Sequence, residues 1–505
     1  MTSAETGPNT EALRQRLVDA VAAQAKLAQV LNDSLFSYSE LGFQETESSA
    51  LLARTLESAG FAVERGTAGI PTSFAARWGE GGPLIALGSD IDALPNVSQK
   101  PGIAWHEPLV EGGPGHGEGH NSGMAVCVAA AIALKDVMQR DGIAGRIMVW
   151  PGIAEELLAG KSFQVRAGMF AGVDACLFTH VGSNLETGWG EVQGQGMISV
   201  EYTFHGESAH AAAAPWRGRS ALDAAELMNM GWNMRREHLR PQQRSHYVIT
   251  YGGEQPNVVP SLARVWYYIR ETDNENLRRN FEIANRIADA AAQMTDTRVE
   301  RRVLGTAYTR HYNRPIAEAM QAQIERVGLP AWTADDQDFA RAVQRAAGGE
   351  QSGLATTMPP LATSMTSGGS DDIGDVSWTV PTVQLRYPAN IPHLPGHHWS
   401  CAMAMATPIA HRGIVAGAKV VALTALELML RPGLVAQARR YFTDVQCKDA
   451  GYVPFLDPAD PPPVHMNRDP MARFAPALRA LHYDPARFET YLDQLGVRYP
   501  MLAPE

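Results

Sequence analysis

Four short polar clusters, each just beyond an apolar run, collect side chains able to build a hydrolytic metal centre. They are Asp90-Ile91-Asp92, His116-Gly117-Glu118-Gly119-His120, the pair Glu155-Glu156, and His180, with His397 as a later addition. Hydrolysis at a metal needs nitrogen and oxygen ligands, a nearby base, and a coordination position left for water. Residues 112–121 hold five glycines, so the backbone there can fold tightly and aim a Glu-Gly-His unit at one ion or an adjacent pair. Glu155 and Glu156 repel each other unless a positive charge is close, and a ligand beside a general base is one solution. Each cluster alone also has an ordinary explanation. Acids favour helix N-termini, aspartates favour strand-ending turns, and a histidine closing an apolar strand is commonly a hydrogen-bonded core residue. The functional reading rests on their joint placement.

That placement follows from the elements around them. Pro83 to Gly88, Arg146 to Trp150 and Ala175 to Thr179 are short apolar runs that fit strands buried on both faces. Helical patterns, Asn121 to Gln139 and Lys161 to Phe170, lie between them. The alternation predicts an α/β fold with a mostly parallel central sheet flanked by helices, and ligands in such sheets bind beyond the carboxyl ends of the strands. Near residue 196 the pattern changes to strands with one wet face. The order strand, helix (Ser220 to Arg235), two strands, long helix (Asn274 to Met294), strand is the split, ferredoxin-like arrangement. It predicts an inserted α+β satellite domain over residues 196–308. The catalytic domain would then occupy 1–195 and 309–432, with a strand at Thr382 to Tyr387, followed by a C-terminal extension over 433–505. Phe455 to Met466, with three consecutive prolines, predicts an extended surface segment.

Composition narrows the class. Of 505 residues, 45% are hydrophobic and 19% charged, an ordinary globular balance for more than one domain. The formal charge of −11 and the lack of a basic stripe argue against a nucleic-acid partner. Four scattered cysteines favour a reducing compartment. The polar N-terminus shows no secretory pattern, and Ile409 to Leu430, interrupted by His411, Arg412 and Lys419, reads as a core helix and not a membrane span. A cytoplasmic protein without a membrane partner is the expectation.

Taken in order, the motifs resemble a known family. They are Ser-Glu-Leu-Gly-Phe-Gln-Glu (39–45), Asp-Ile-Asp-Ala-Leu-Pro (90–95), Gly-His-Gly-Glu-Gly-His-Asn (115–121), Ala-Glu-Glu (154–156) and Gly-Glu-Ser-Ala-His-Ala (206–211). Asn-Val-Val-Pro (257–260), Gly-Asp-Val-Ser (374–377) and the His-Trp turn near 398 complete the set. The family is that of dinuclear-metal peptidases and amidohydrolases, including auxin-conjugate hydrolases and carboxypeptidases, and the likeness is greatest to the aminobenzoyl-glutamate hydrolase B-subunit branch. It covers about residues 35–430.

The resemblance implies two divalent ions per subunit (zinc, manganese or cobalt), a small-molecule amide substrate, and a homodimer formed through the satellite domain. It implies Glu155 as general base, and Glu156, His120, His180 and His397 as metal ligands, with His397 preferred over His398. Asp92 would support a ligand. His210 would reach the partner's site to steady the oxyanion, and Asn257 and Arg270 would lie near the substrate's carboxylate. One position departs from the branch. Glu118 stands where a ligating cysteine is usual, and a carboxylate is a harder ligand than a thiolate. Two other outcomes follow from that departure and from the shared scaffold: a non-catalytic ligand-binding or partner subunit, or an aminopeptidase. Trp216, Trp378 and Trp399, adjacent to motif residues, raise the expectation of an aromatic acyl pocket.

Overall fold

The computed structural model describes residues 8–503 apart from residue 364. Its strands are β1 (Ala62–Arg65), β2 (Phe74–Glu80), β3 (Leu84–Asp90), β4 (Gly145–Gly152), β5 (Ala175–Gly182), β6 (Gly190–Gln193) and β7 (Gly196–His205), followed by β8 (Arg244–Tyr251), β9 (Leu262–Glu271), β10 (Arg298–Ala307), β11 (His311–Tyr312), β12 (Met365–Thr366) and β13 (Thr382–Pro388). The main sheet has the order β1-β2-β4-β3-β5-β13. β4, β3, β5 and β13 run parallel, while β2 joins β4 and β1 joins β2 antiparallel. All seven residues of β3 are buried, because helices cover both faces of the sheet.

Two long helices pack over one face. Gly123–Asp141 buries a nearly unbroken apolar surface, and Pro408–Leu430 lies against it. The latter is long and apolar enough by composition to cross a membrane, yet 83% of its most apolar window is buried inside the protein, as a core helix requires. The other face carries a smaller core around Trp150, Phe170 and Phe178. Here Gly88 pairs with Trp150 on one side and Phe178 on the other, and the indole lies across it. A Cβ on Gly88 would stand 2.3 Å from the Trp150 ring. Gly88→Ala should therefore cost about 1–3 kcal/mol, as overpacking does. Urea denaturation reads this directly, and an unchanged midpoint would contradict the packing described.

The satellite is a four-stranded antiparallel sheet in the order β10-β7-β9-β8 with helices Ala221–Arg235 and Asn274–Met294 packed together on it. In the longer helix Leu277, Ile283, Ala284, Ala288 and Ala291 recur at helical spacing and are buried. The Asp273 side chain accepts the Asn276 N–H at 2.8 Å and caps its start. This is the ferredoxin-like order read from the sequence.

Beyond Leu430 the chain wraps back over the molecule. Phe455 and Leu456 are buried, so the proline-rich segment is packed down and not merely laid on the surface. Arg278 of the satellite donates to the Val453 carbonyl at 2.7 Å, and Tyr452 donates to Asp375 at 2.7 Å.

Candidate metal centre

The parallel strands end level with one another, Asp90 of β3 pairing with Gly152 of β4, and the polar clusters leave the sheet at that edge. β3 runs into Asp92. The glycine-rich loop supplies Glu118 and His120 just before helix Gly123–Asp141. β4 ends in a sharp turn, with Ala154 (φ 53°) and Leu158 (φ 50°) in the left-handed region on either side of Glu155-Glu156-Leu157. His180 sits near the end of β5, and His397, itself left-handed (φ 54°), comes from the turn after β13.

These side chains meet. His180 Nε2 lies 3.3 Å from Glu118 Oε1, and His397 Nε2 lies 3.1 Å from Glu118 Oε2 and 3.6 Å from Glu156 Oε2. His120 Nε2 is 3.9 Å from Glu118 and 4.0 Å from Glu155, while its Nδ1 faces Asp92 Oδ1 at 3.4 Å. Donor atoms of Glu118, His120 and His180 lie within 4.8 Å of one another, as do those of Glu118, His120, Glu155 and Glu156. His398 turns away. Its Nδ1 accepts the Ser400 amide and caps the short helix that follows.

Several of these atoms are buried without a hydrogen-bond partner: both ring nitrogens of His120, Asp92 Oδ1 and Glu156 Oε1. Unpaired buried polar atoms are rare and costly, and a cation among them removes the cost. The His180 tautomer points the same way. Its Nδ1 lies 2.9 Å from the Val181 carbonyl, which can only accept, so Nδ1 carries the proton. In the neutral ring Nε2 then presents a lone pair toward the Glu118 carboxylate, a pairing that a shared cation makes favourable. The residues therefore fit divalent ions. Glu118, the departure from the branch, stands between two imidazoles and belongs to the donor set.

Charge is concentrated here. Burial, reinforced by Asp371, Asp90 and Glu156, pushes the Glu155 carboxyl well above its ordinary range. Burial does the same to Glu156, with Glu118, Asp92 and Asp90 adding to it against the pull of His120. For His120 burial opposes the imidazolium, but Asp92, Glu118, Glu156 and Asp90 outweigh it and raise its pKa. Burial also resists ionisation of Glu118, but the imidazoles of His180, His397 and His120 gathered around it hold it low.

A cavity of about 320 Å³ opens over the cluster, bounded by Glu118, Glu155, His180 and His397 on one side and by Arg270, Arg310 and Arg386 on the other. Arg270 comes from β9 of the satellite and donates to Ser370 at 3.2 Å. Arg386 pairs in register with His180 on the neighbouring strand. Among the described residues neither has a carboxylate within 4.0 Å, whereas Arg310 is matched by Asp371. His210 and Asn257 stand elsewhere. They are exposed neighbours in the satellite, joined through the bridge of His210 with Val258, and neither lines this cavity. The three tryptophans do not line it either. Trp216 is exposed, Trp378 packs on Tyr308 and His311, and Trp399 stacks on His106, so the cavity's aromatic wall is Tyr268. His116, read with the cluster, is instead a core residue whose Nε2 lies 3.0 Å from the Leu35 carbonyl.

Beneath the cluster lies a set that sequence reasoning missed. Lys161 is wholly buried, with its ammonium 2.5 Å from Asp90 and bonded also to Asp372. Glu155, Asp371 and Asp372 form a third close group of acids. The adjacent Asp371-Asp372 carry the same signal as Glu155-Glu156 and could have been singled out by it. Lys161 sits in an ordinary helical pattern and gave no such signal.

Histidines and carboxylates gathered at the carboxyl edge of a parallel sheet, beside a separate α+β domain, define a metallohydrolase of two-domain build. A family model described as the peptidase dimerisation domain matches residues 193–295. The B-subunit of the p-aminobenzoyl-glutamate hydrolase of Escherichia coli is 34% identical over 473 residues, 88% of this chain and 98% of that protein. The chain belongs to the M20 family of dinuclear-metal peptidases and amidohydrolases, and it is a hydrolase of amide bonds. The mouse Xaa-Arg dipeptidase is 27% identical over 87% of this chain and 93% of its own length. The crystal structure of an aminobenzoyl-glutamate utilization protein from Klebsiella pneumoniae shares the fold, with a TM-score of 0.57 at 17% identity over 81% of this chain and 98% of that one.

Proposed function

We propose that the protein is a dinuclear-metal amidohydrolase that cleaves the amide bond of an N-acyl or N-aroyl amino acid, or of a dipeptide-like substrate. The observation that carries this reading is the pairing of unpartnered buried donor atoms with two uncompensated arginines across one cavity. The first suits cations and the second suits an anionic amide substrate. Glu118, His120, Glu156, His180 and His397 would hold the ions, with Asp92 steadying His120. Zinc, manganese and cobalt suit this mixed oxygen and nitrogen set. Bound there, they would supply Lewis acidity and lower the pKa of a water.

The chain's own groups do the rest. Glu155 takes the proton of the attacking water as its oxygen adds to the amide carbon. The C–N bond then breaks, and Glu155 returns that proton to the leaving nitrogen. Arg270 and Arg386 hold the carboxylate and so fix the amide against the acids. The His210 Nδ1 accepts the amides of Ala212 and Ala213 at 3.2 Å, which leaves the proton on Nε2 in the neutral ring. That makes His210 a donor suited to an oxyanion. Its distance from its own cavity fits delivery to a second copy of the chain, with Asn257 alongside. The edge strand β8 exposes Tyr247, Val248 and Ile249, and the neighbouring helix exposes Met230 and Met234, an apolar edge that a second copy would cover. Four unpaired cysteines suit the cytoplasm.

Two experiments test the reading. Hydrolysis of N-acyl amino acids, with aminoacyl amides left intact, is expected once a divalent metal is added; the reverse preference would make the protein an aminopeptidase. Mixing inactive Glu155→Gln and His210→Ala proteins should restore activity to about a quarter of wild type, because random dimers place one complete site in half of them. No recovery after proven subunit exchange would confine the site to one chain.

A further inference from the structure

The segment 39–45 has no role in the reaction described so far, yet it touches the turn that presents the base. Glu45 is fully buried. Its Oε1 accepts the Ala154 N–H at 2.8 Å and its Oε2 accepts the Thr72 hydroxyl at 3.0 Å. Ala154 immediately precedes Glu155 and is held in the left-handed region at φ 53°, a conformation that a residue bearing a Cβ adopts only when its surroundings impose it. Those surroundings are visible. At Gly42, a Cβ would stand 2.9 Å from Ala154 Cα and 3.2 Å from Asp92 Oδ2, so this segment lies directly against the turn. Asp92 Oδ2 accepts the Glu156 amide at 3.0 Å. Two carboxylates thus grip the backbone on either side of Glu155, whose own carboxylate has no hydrogen-bond donor among the described residues. Its position is set by the backbone that carries it.

The outer side of the segment is braced as well. The Asn467 side chain donates to the Gly42 carbonyl at 3.0 Å, and Gln44 donates to the Met466 carbonyl at 2.8 Å. The C-terminal extension therefore presses the segment onto the turn.

We propose that Glu45 is a positioning residue for hydrolysis, whose side-chain oxygen holds the Ala154 amide and thereby fixes where the Glu155 carboxylate stands. The proposal rests on Glu155 acting as the base. It is a claim about reach and not about charge, and two substitutions separate these. Glu45→Gln keeps the length and an acceptor oxygen but cannot ionise. Glu45→Asp keeps the carboxyl group but withdraws the oxygen by one methylene.

The experiment compares kcat, KM, metal content and circular dichroism for wild type and both variants on an N-acyl amino acid. Glu45→Gln is expected within about threefold of wild type. Glu45→Asp is expected to lose about 100-fold in kcat, the cost of a displacement near 1 Å, with KM and metal content within about twofold. An aspartate variant as active as wild type would overturn the proposal. So would a glutamine variant that falls as far, or a loss that follows metal content. If the aspartate variant does not fold, the glutamine variant decides alone, a fall beyond tenfold overturning the claim. A wild type inactive on every amide would overturn the function with it, whereas an active wild type and an unaffected aspartate variant would overturn only this role.

Discussion

Glu155→Gln should keep its full complement of metal and lose about 10²- to 10⁴-fold in kcat, the range that a positioned general base contributes. Glutamine matches glutamate in size, so the turn between Ala154 and Leu158 is undisturbed, and the proposed ligands Glu118, His120, Glu156, His180 and His397 are all retained. What goes is basicity. Without metal, burial and the neighbouring Asp371, Asp90 and Glu156 push the Glu155 carboxyl upward, and glutamine has no carboxylate to accept a proton. The comparison is kcat at saturating substrate together with metal per chain by elemental analysis. Full activity would remove Glu155 from the mechanism, and loss of metal would make it a ligand.

Stripping the metal should be at least as severe. Dialysis against a chelator is expected to abolish hydrolysis, and zinc, manganese or cobalt should restore it. Stability should change too. A ligand at a hundred times its dissociation constant adds about 2.7 kcal/mol to the folded state. The stripped protein also acquires a pH dependence whose sign follows from the site. Glu155, Glu156 and His120 all have folded pKa values above their ordinary ones. Each contributes stability that is complete below its unfolded pKa and is lost as pH rises through the folded value. The stripped protein should thus weaken from mildly acidic toward alkaline pH, and the loaded protein should weaken less. Thermal melting across pH measures both. Identical profiles with and without metal would contradict the account.

The elements were more legible in the sequence than the contacts among them. Strands β3, β4 and β5 show as apolar runs because both faces are buried, and helix Asn274–Met294 shows both ends because a capping aspartate and an amphipathic stripe mark it. The convergence of Asp92, Glu118, His120, Glu156 and His180 followed from the rule that clusters beyond parallel strands share an edge. His397 rather than His398 depends on a left-handed turn that spacing only hints at. Lys161 and Glu45 escaped for a shared reason. Lys161 lies in an ordinary helical pattern and Glu45 closes a motif that marks the resemblance without assigning the side chain a task, and their partners, Asp372 and Ala154, come from segments that only the folded chain brings near. The tryptophans misled for the opposite reason, since adjacency in sequence to a motif does not place an indole on the cavity wall.

The central claim is that distant histidines and acids hold two cations at the edge of the sheet. Anomalous diffraction from crystals grown with zinc or manganese tests it most directly. The account predicts two peaks about 3.5–4 Å apart, within bonding distance of Glu118, His120, Glu156 and His180. Crystals of active enzyme with no peak among those side chains would contradict it.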